Sequence, residues 1–183
     1  MSIILVTGGV RSGKSAFAER LAAERGASVL YVATGVCTDE EMERRIAMHR
    51  ERRPASWGTS ETPYGAADGV DAYHAYDAVL FDCVSTWISN LLIAVPEERL
   101  RDEGETARIM NEVERWLASA KQYAGTLIVV TSETGLGGVA MSRLGRWFQD
   151  LLGMVNQRIA AEAEEAYAVL SGIPLKIKGA GSV

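Results

Sequence analysis

The strongest constraint in this chain is a glycine-rich loop near its start. Residues 8–15 read Gly-Gly-Val-Arg-Ser-Gly-Lys-Ser and match the pattern GxxxxGK[ST] at every fixed position. A β-branched apolar run at residues 3–7 precedes the loop, and a helical pattern over residues 14–25 follows it. Glycines in such a loop let backbone N–H groups face phosphate oxygens, and the helix N-terminus adds partial positive charge. The alternative is an ordinary strand-to-helix turn that uses glycine for tight packing.

The residue types in this loop predict a bound nucleoside triphosphate. Lys14 would place its charge on the β- and γ-phosphates, and the Ser15 hydroxyl would bind the Mg²⁺ that bridges them. Asp82 ends a third apolar run and is placed as a second Mg²⁺ ligand, although a carboxylate there could instead cap the next helix. The predicted nucleotide-binding residues of the loop are Gly8, Gly9, Val10, Arg11, Ser12, Gly13, Lys14 and Ser15.

Apolar runs alternate with helical patterns along the whole chain. Such alternation predicts a mainly parallel sheet covered by helices on both faces. The predicted strands are residues 3–7, 29–33, 78–82, 126–131, 166–170 and 174–177, and the predicted helices are residues 14–25, 87–93, 106–123 and 144–163, with one more from Thr38 to before Pro54. Ser171-Gly172 joins the last two strands and favours an antiparallel hairpin at a sheet edge. Residues 58–77 are predicted to be mostly loop, and residues 96–105 a charged surface stretch.

We therefore predict one domain over residues 1–183, an α/β fold of the P-loop NTPase class, RecA-like in type, with a C-terminal antiparallel hairpin. Composition is ordinary for a globular protein, with 48% hydrophobic and 23% charged residues. A net charge of −5 argues against a surface for nucleic acid, and no run approaches the about 18 apolar residues of a membrane span. Two cysteines and no secretory signal favour reduced thiols and a cytoplasmic location.

Histidine is scarce, since only His49 and His74 occur in the chain. His74 lies in the predicted loop and is interpreted as a solvated side chain. His49 lies in a helical segment with arginines at positions 44, 45, 50, 52 and 53, a density that suggests an anion pocket in an acidic protein. Two plainer readings stay open here: a packed structural His49, and a solvated helix paired with neighbouring glutamates.

Several ordered motifs together resemble one family. Beside the phosphate loop stand Leu30-Tyr31-Val32-Ala33-Thr34 and Arg45-Ile46-x-x-His49-Arg50-x-x-Arg53-Pro54-x-x-Trp57. Further on come Asp82-Cys83 with Asn90-Leu91-Leu92, Glu133-x-Gly135-x-Gly137, Arg143, Phe148-x-Asp150, Val155-Asn156-Gln157-Arg158 and Val169-x-Ser171-Gly172-Ile173-Pro174-x-Lys176. This set, running from about residue 3 to residue 178, resembles the bifunctional adenosylcobinamide kinase/adenosylcobinamide-phosphate guanylyltransferase family of cobalamin biosynthesis.

The resemblance implies two activities and their residues. The enzyme would phosphorylate adenosylcobinamide with ATP or GTP, then transfer GMP from GTP to adenosylcobinamide phosphate, with Mg²⁺ as cofactor and a homotrimer as the assembly. His49 matches the histidine that carries GMP covalently, and Lys14 would act in catalysis beside it. The positions that match GTP contacts, in addition to the phosphate loop, are Ala33, Thr34, Gly35, Arg50, Glu51, Arg52, Arg53, Glu61 and Asp82.

Histidine suits that chemistry. An imidazole with an unperturbed pKa of about 6.5 is largely neutral at physiological pH and becomes a good leaving group once it is phosphorylated. Two rival functions remain: a P-loop kinase of another small alcohol without a covalent intermediate, and a nucleotide-binding regulatory protein without turnover. A covalent GMP adduct on the protein would distinguish the proposed transferase from the plain kinase. GTP consumption that depends on adenosylcobinamide would distinguish it from the regulatory protein.

Overall fold

The computed structural model describes residues 2–36 and 54–180. Its strands are β1 (Ser2–Gly8), β2 (Val29–Ala33), β3 (Gly58–Glu61), β4 (Ala78–Asp82), β5 (Thr126–Val130), β6 (Glu165–Leu170) and β7 (Ile173–Lys178). Its α-helices are α1 (Lys14–Arg25), α2 (Val84–Ile93), α3 (Glu103–Ala120) and α4 (Arg143–Glu162). Short 3₁₀ helices span Ala66–Ala75, Glu97–Arg99 and Gly135–Gly137.

The described strands form a single sheet in the order β3-β2-β4-β5-β1-β6-β7. Every neighbouring pair is parallel except β6 and β7, which form an antiparallel hairpin at one edge. Continuous apolar runs such as Ile3 to Val6 are buried on both faces of this sheet, as expected of parallel strands. The predicted α/β fold and its C-terminal hairpin are confirmed.

Helices cover the two faces unequally. On one face, Ala18, Leu21 and Ala22 of α1 pack against side chains of β1, β2, β4 and β5. The other face carries the larger core, to which α2, α3 and α4 contribute. In that core Phe81 of β4 lies 4.6 Å from the ring of Trp116 and 5.7 Å from that of Trp87, measured between centroids. These three aromatic rings are fully buried and pack together next to the carboxyl end of β4.

The prediction of loop over residues 58–77 is wrong. Gly58–Glu61 forms β3, which pairs in parallel with β2, and Ala66–Ala75 forms a 3₁₀ helix. The sequence Gly-Thr-Ser-Glu lacks an apolar pattern, so its strand conformation comes from backbone pairing at the sheet edge. The 3₁₀ helix is held by Val70 and Tyr73, which join the larger core. Tertiary contacts therefore decide both elements.

The prediction of a charged surface stretch at residues 96–105 is wrong for residues 103–105, which belong to a helix. Helix α3 begins at Glu103, with the Asp102 side chain accepting a hydrogen bond from the Glu105 backbone N–H. Glu105 is only 6% exposed, and its carboxylate pairs with Arg99 at 2.7 Å and with Arg108 at 2.7 Å.

The predicted helix between Thr38 and Pro54 lies outside the described residues. Among helices within the described ranges, none has the length and apolar character needed to cross a bilayer.

Candidate active site

Strand register brings several of the predicted residues to one edge of the sheet. Ala33 at the end of β2 pairs with Glu61 on one side and with Asp82 on the other. Asp82 pairs in turn with Val130 of β5, which pairs with Val6 of β1 just before the phosphate loop. The loop and these strand ends thus share the carboxyl edge, where ligands of open parallel sheets bind.

Distance along this edge divides the residues into two groups. Strand β4 lies two places from β1, which corresponds to about 10 Å at the usual strand spacing. Strand β3 lies four places from β1, or about 19 Å away. Lys14, Ser15 and Asp82 are therefore close enough to share one triphosphate and its metal. Ala33 and Glu61 form a more distant part of the same edge.

The phosphate loop is clamped against the β6–β7 hairpin. A Cβ at Gly8 would lie 2.5 Å from the Val169 carbonyl oxygen, so only glycine fits there. Gly13 has φ +91° and its Cβ would lie 3.1 Å from Gly172 Cα in the hairpin turn. The Gly172 backbone N–H donates to the Ser12 carbonyl oxygen at 2.8 Å. The loop conformation is thus fixed by close backbone packing that side chains would prevent.

Side chains of the loop divide between solvent and loop interior. Val10 is 81% exposed, and Arg11 is exposed with φ 56°, so these two positions face outward. The Lys14 ammonium group is half-buried and donates to the Gly9 carbonyl oxygen at 3.1 Å, which holds the side chain across the loop. The hydrogen bond thus places one positive charge across the loop, which suits a triphosphate site.

Ser15 and Asp82 supply the kind of donor set that Mg²⁺ takes. Both offer oxygen ligands, one hydroxyl and one carboxylate, and hard divalent cations prefer oxygen. Tyr31 donates its hydroxyl proton to Asp82 Oδ2 at 2.8 Å, which orients the carboxylate at the sheet edge. The residues present therefore fit a magnesium ion held between the phosphate loop and β4.

Cys83 beside this carboxylate is not a suitable nucleophile. Burial raises the pKa of the Cys83 thiol, and the negative charge of Asp82 raises it further. Its sulfur lies 3.0 Å from the hydroxyl oxygens of both Ser85 and Thr86. The thiol therefore stays protonated, and it participates in a local hydrogen-bond cluster instead of covalent chemistry.

Thr34 ties the ends of β2 and β4 together. Its hydroxyl donates to the Cys83 carbonyl oxygen at 2.8 Å and accepts from the Cys83 N–H at 2.9 Å. Asn90 on α2 donates from Nδ2 to the carbonyl oxygens of Thr34, at 2.8 Å, and Pro63, at 3.1 Å. The Thr34 side chain is fully buried in these contacts. Ala33 and Gly35 on either side are half-buried at the strand end.

Sequence reasoning gave no role to Tyr31, Asn90 or Asn156, although their positions belong to the quoted motifs. Each is a polar group within an apolar element: Tyr31 in a buried strand, and Asn156 on the face of α4 that also carries Leu152 and Ile159. A polar side chain at a core position must find a partner, because an unsatisfied buried group is costly. A polar residue at a position where the apolar pattern of the element predicts a core residue is the sequence signal that could have identified these residues.

A cavity of about 720 Å³ lies between the segment that follows β5 and the first turns of α4. Its lining includes Gly135, Val139, Arg143, Arg146 and Gln149. Gln149 Nε2 donates to the carbonyl oxygens of Thr134 and Gly138, at 3.0 and 2.8 Å, and so shapes the loop that forms the cavity wall. The cavity offers both an apolar surface and hydrogen-bond donors, as expected of a site for a small organic molecule.

The predicted nucleophile cannot be placed by this structure. His49 and Arg50, Glu51, Arg52 and Arg53 lie outside the described residues. The segment that contains them joins Cys37 to Pro54, immediately after β2 and before β3. His74 is exposed at the end of the 3₁₀ helix, with its ring centroid 6.1 Å from that of Tyr123.

Comparisons with known proteins agree with these features. A family model described as cobinamide kinase / cobinamide phosphate guanyltransferase matches residues 4–177. The bifunctional adenosylcobalamin biosynthesis protein CobU of Salmonella typhimurium is 41% identical over 181 residues, which cover 96% of this chain and 99% of that protein. CobP of Pseudomonas aeruginosa, which carries the same descriptive name, is 41% identical over 176 residues and 96% of each chain. CobU of Escherichia coli is 40% identical over 181 residues, with 96% and 99% coverage.

Solved structures share the fold at low identity. An ATPase from the type III secretion system of pathogenic bacteria superimposes with a TM-score of 0.57 at 10% identity, covering 91% of this chain and 51% of that one. The RadB recombinase superimposes with a TM-score of 0.50 at 15% identity, covering 91% and 73%. These likenesses support the RecA-like form of the P-loop fold that the strand order displays.

Lys14→Ala tests the phosphate loop. We expect GTP affinity to fall about 10- to 100-fold, because a hydrogen bond to a charged group contributes about 1.5–3 kcal/mol. Isothermal titration calorimetry with GTP measures the change, and far-UV circular dichroism checks that the fold is kept. Arg20→Ala, an exposed position on the same helix, serves as the control and should bind like the wild type. Unchanged affinity in Lys14→Ala would contradict the triphosphate site.

Proposed function

The chain belongs to the cobinamide kinase/cobinamide phosphate guanyltransferase family, and on that premise we propose a bifunctional enzyme of cobalamin biosynthesis whose two reactions share the carboxyl edge of the sheet. In the first reaction, the γ-phosphoryl group of ATP or GTP is transferred to the aminopropanol hydroxyl of adenosylcobinamide. In the second, GMP from GTP is joined to the resulting phosphate to give adenosyl-GDP-cobinamide. The observation that carries the proposal is the complete phosphate loop, which packs between β1 and the hairpin and lies at the same edge of the sheet as Asp82.

The kinase half is supported by the position of the positive charge. Phosphoryl transfer needs chiefly positioning and charge stabilisation around the transferred group. Lys14 Nζ lies across the loop, hydrogen-bonded to the Gly9 carbonyl oxygen, and backbone N–H groups of residues 8–15 would surround the phosphates. The predicted contacts of Gly8 to Ser15 with nucleotide are proposed on this basis.

We propose Mg²⁺ as the cofactor, held by Ser15 and Asp82. When bound, the ion neutralises phosphate charge and orients the triphosphate. Ser15 stands at the start of α1 and Asp82 two strands away, with the Asp82 carboxylate oriented by Tyr31. Protein oxygens thus approach the same space from both sides.

The guanylyl transfer half is proposed to proceed through His49. The imidazole nitrogen attacks the α-phosphorus of GTP, the bond to the bridging oxygen breaks, and pyrophosphate leaves with the electron pair. A phosphate oxygen of adenosylcobinamide phosphate then displaces the histidine. Arg50, Arg52 and Arg53 would stabilise charge on the departing pyrophosphate and disfavour the imidazolium form of His49. Support comes from the family match across residues 4–177, which spans this segment.

The remaining predicted contacts are proposed for GTP in this second reaction. Ala33, Thr34, Gly35 and Glu61 lie at the ends of β2 and β3, which flank the segment containing His49 and Glu51. Because β2 and β3 are parallel and Ala33 pairs with Glu61, the ends of both strands lie at the carboxyl edge of the sheet. A nucleotide bound at that edge would contact both strand ends.

A homotrimer in the cytoplasm is proposed as the working form. Edge strand β7 presents Ile173, Leu175 and Ile177 on one face, and these side chains are 62%, 46% and 57% exposed. Alternate residues of a strand point the same way, so the three form a continuous apolar strip. An interface between copies would remove this strip from water and cover an edge that otherwise invites unspecific pairing.

Asp82→Asn tests the metal role. We expect kinase turnover to fall by about 10²-fold or more with a raised requirement for Mg²⁺, since an amide oxygen is a weaker ligand than a carboxylate. Nucleotide affinity without Mg²⁺ should change little. Turnover measured across a Mg²⁺ titration checks both statements. Wild-type turnover at every Mg²⁺ concentration would rule out Asp82 as a ligand.

His49→Ala tests the covalent intermediate. Wild-type protein incubated with GTP labelled at the α-phosphorus should acquire label that is labile in acid and stable in base, as a phosphoramidate is. His49→Ala should lose the label and guanylyl transfer, because no other group replaces the nucleophile. It should retain phosphorylation of adenosylcobinamide, which depends on the phosphate loop.

The matched control is His74→Ala, which removes the other histidine of the chain and should label like the wild type. Label that persists in His49→Ala, or that mass spectrometry locates on another residue, would contradict the guanylyl-histidine mechanism. A kinase of another alcohol would then be the better description.

Leu175→Glu tests the assembly. A charge in the centre of the apolar strip should shift the mass measured by light scattering at micromolar concentration from three chains to one. Ile93→Glu is the control, since Ile93 is 69% exposed at the end of α2 and away from β7. A wild-type protein with the mass of a single chain would refute the trimer.

A further inference from the structure

Glu133 occupies a central place that neither proposed reaction has used so far. Strand β5 lies between β1, which leads into the phosphate loop, and β4, which ends at Asp82. Glu133 follows β5 by three residues, and its backbone N–H donates to the Gly8 carbonyl oxygen at 3.2 Å. Its backbone is therefore attached to the first residue of the phosphate loop, between that loop and the end of β4.

The carboxylate of Glu133 is held through one oxygen only. Thr7 donates its hydroxyl proton to Glu133 Oε1 at 3.0 Å, and Asn156 donates from Nδ2 to the same oxygen at 3.2 Å. Within residues 2–36 and 54–180, no hydrogen bond reaches Oε2 and no Lys or Arg pairs with Glu133. Two neutral donors thus fix the carboxyl group and leave its second oxygen open.

The donors themselves are rigidly placed. Thr131 donates its hydroxyl proton to Asn156 Oδ1 at 2.7 Å, and Asn156 also donates to the Ser132 carbonyl oxygen at 3.1 Å. Thr7, Thr131 and Asn156 are 5%, 0% and 7% exposed. A buried, fully connected network of this kind fixes the orientation of the side chain that it supports.

Packing does not explain why this residue is acidic. Both supporting contacts end on Oε1, and a glutamine carbonyl oxygen would accept the same two hydrogen bonds. The property that glutamine lacks is a second oxygen able to accept a proton. Glu133 follows the strand that lies between β1 and β4, so this oxygen belongs to the part of the edge where the transferred phosphoryl group and its acceptor would meet.

The cavity lined by Gly135 and Gln149 offers a place for the acceptor. Gly135 follows Glu133 by two residues, and two residues span at most about 7 Å of chain. An alcohol bound at the Gly135 end of the cavity would therefore lie near Glu133.

The two reactions differ in whether their nucleophile needs a general base. The nucleophile of the first is an alcohol, which is protonated at neutral pH, whereas the nucleophile of the second is a phosphate oxygen that is already ionised. On the proposed function above, we propose that Glu133 is the general base of the kinase reaction alone. Oε2 takes the hydroxyl proton as the alcohol oxygen bonds to the γ-phosphorus. The bond to the β–γ bridging oxygen breaks, the nucleoside diphosphate leaves with that electron pair, and the proton passes later to solvent.

Glu133→Gln separates the two reactions. With adenosylcobinamide and ATP labelled at the γ-phosphorus, kcat should fall about 10²- to 10⁴-fold while KM for ATP changes little, because general base catalysis typically contributes that factor. With adenosylcobinamide phosphate and GTP supplied directly, guanylyl transfer should stay within about threefold of wild type, as should protein labelling from GTP labelled at the α-phosphorus.

Two further variants distinguish catalysis from structure. Glu164→Gln makes the same charge change at an exposed residue that accepts from Ser2 at 2.8 Å, and it should phosphorylate adenosylcobinamide like the wild type. Glu133→Asp keeps a carboxylate on a shorter side chain and should retain more kinase activity than Glu133→Gln. A purely structural role gives the reverse order, because glutamine is the closer match in shape.

Three results would overturn the assignment. Wild-type kinase turnover in Glu133→Gln would exclude a general base. Parallel loss of both reactions, with weaker nucleotide or Mg²⁺ binding, would make Glu133 part of the nucleotide site instead. A wild-type protein that does not phosphorylate adenosylcobinamide would remove the proposed function and this assignment with it, whereas loss confined to Glu133→Gln concerns the assignment alone.

Discussion

The close contact between the phosphate loop and the β6–β7 hairpin is the constraint on which the site depends. Gly8 faces the Val169 carbonyl oxygen at a distance that excludes a Cβ, and at Gly13 a φ of +91° and close contact with Gly172 disfavour any side chain. The hydrogen bond from the Gly172 N–H to the Ser12 carbonyl oxygen closes the contact. The last two strands of the chain thus fix the shape of its first loop. A nucleotide site formed by backbone groups needs such support, because backbone donors bind phosphate well only when they are held in place.

The parallel strand register links the phosphate loop to the ends of the other strands. Register pairs join, in order across the sheet, Val6, Val130, Asp82, Ala33 and Glu61. The phosphate loop and the ends of four other parallel strands, β5, β4, β2 and β3, therefore lie at one level. The buried rings of Phe81, Trp87 and Trp116 prevent the end of β4 from shifting relative to its neighbours. In the proposed function, this one edge serves both phosphoryl transfer at the loop and nucleotidyl transfer toward β2 and β3.

The two reactions also divide the polar residues of this edge. Charge stabilisation and metal binding near the loop are the roles proposed for Lys14, Ser15 and Asp82. An alcohol must lose a proton to become phosphorylated, and Glu133, held by Thr7 and Asn156, is placed for that step. The phosphorylated product is already ionised, so guanylyl transfer requires a nucleophile for the α-phosphorus, the role proposed for His49. Each group is thus matched to the one bond change that needs it.

The sequence by itself determined the elements whose signals are local. The loop pattern defined β1 and α1, continuous apolar runs predicted β2, β4 and β5, and the family motifs pointed to both activities. The sequence prediction was wrong over Gly58–Glu61, where a polar segment becomes a strand only by pairing with β2. It was also wrong at Glu105, which is buried with its carboxylate paired to Arg99 and Arg108. Tertiary structure alone decided which ends of strands are neighbours, that the hairpin clamps the loop, and that one oxygen of Glu133 is bonded while the other is open. These are contacts between residues far apart in the chain, and no local pattern of residue types records them.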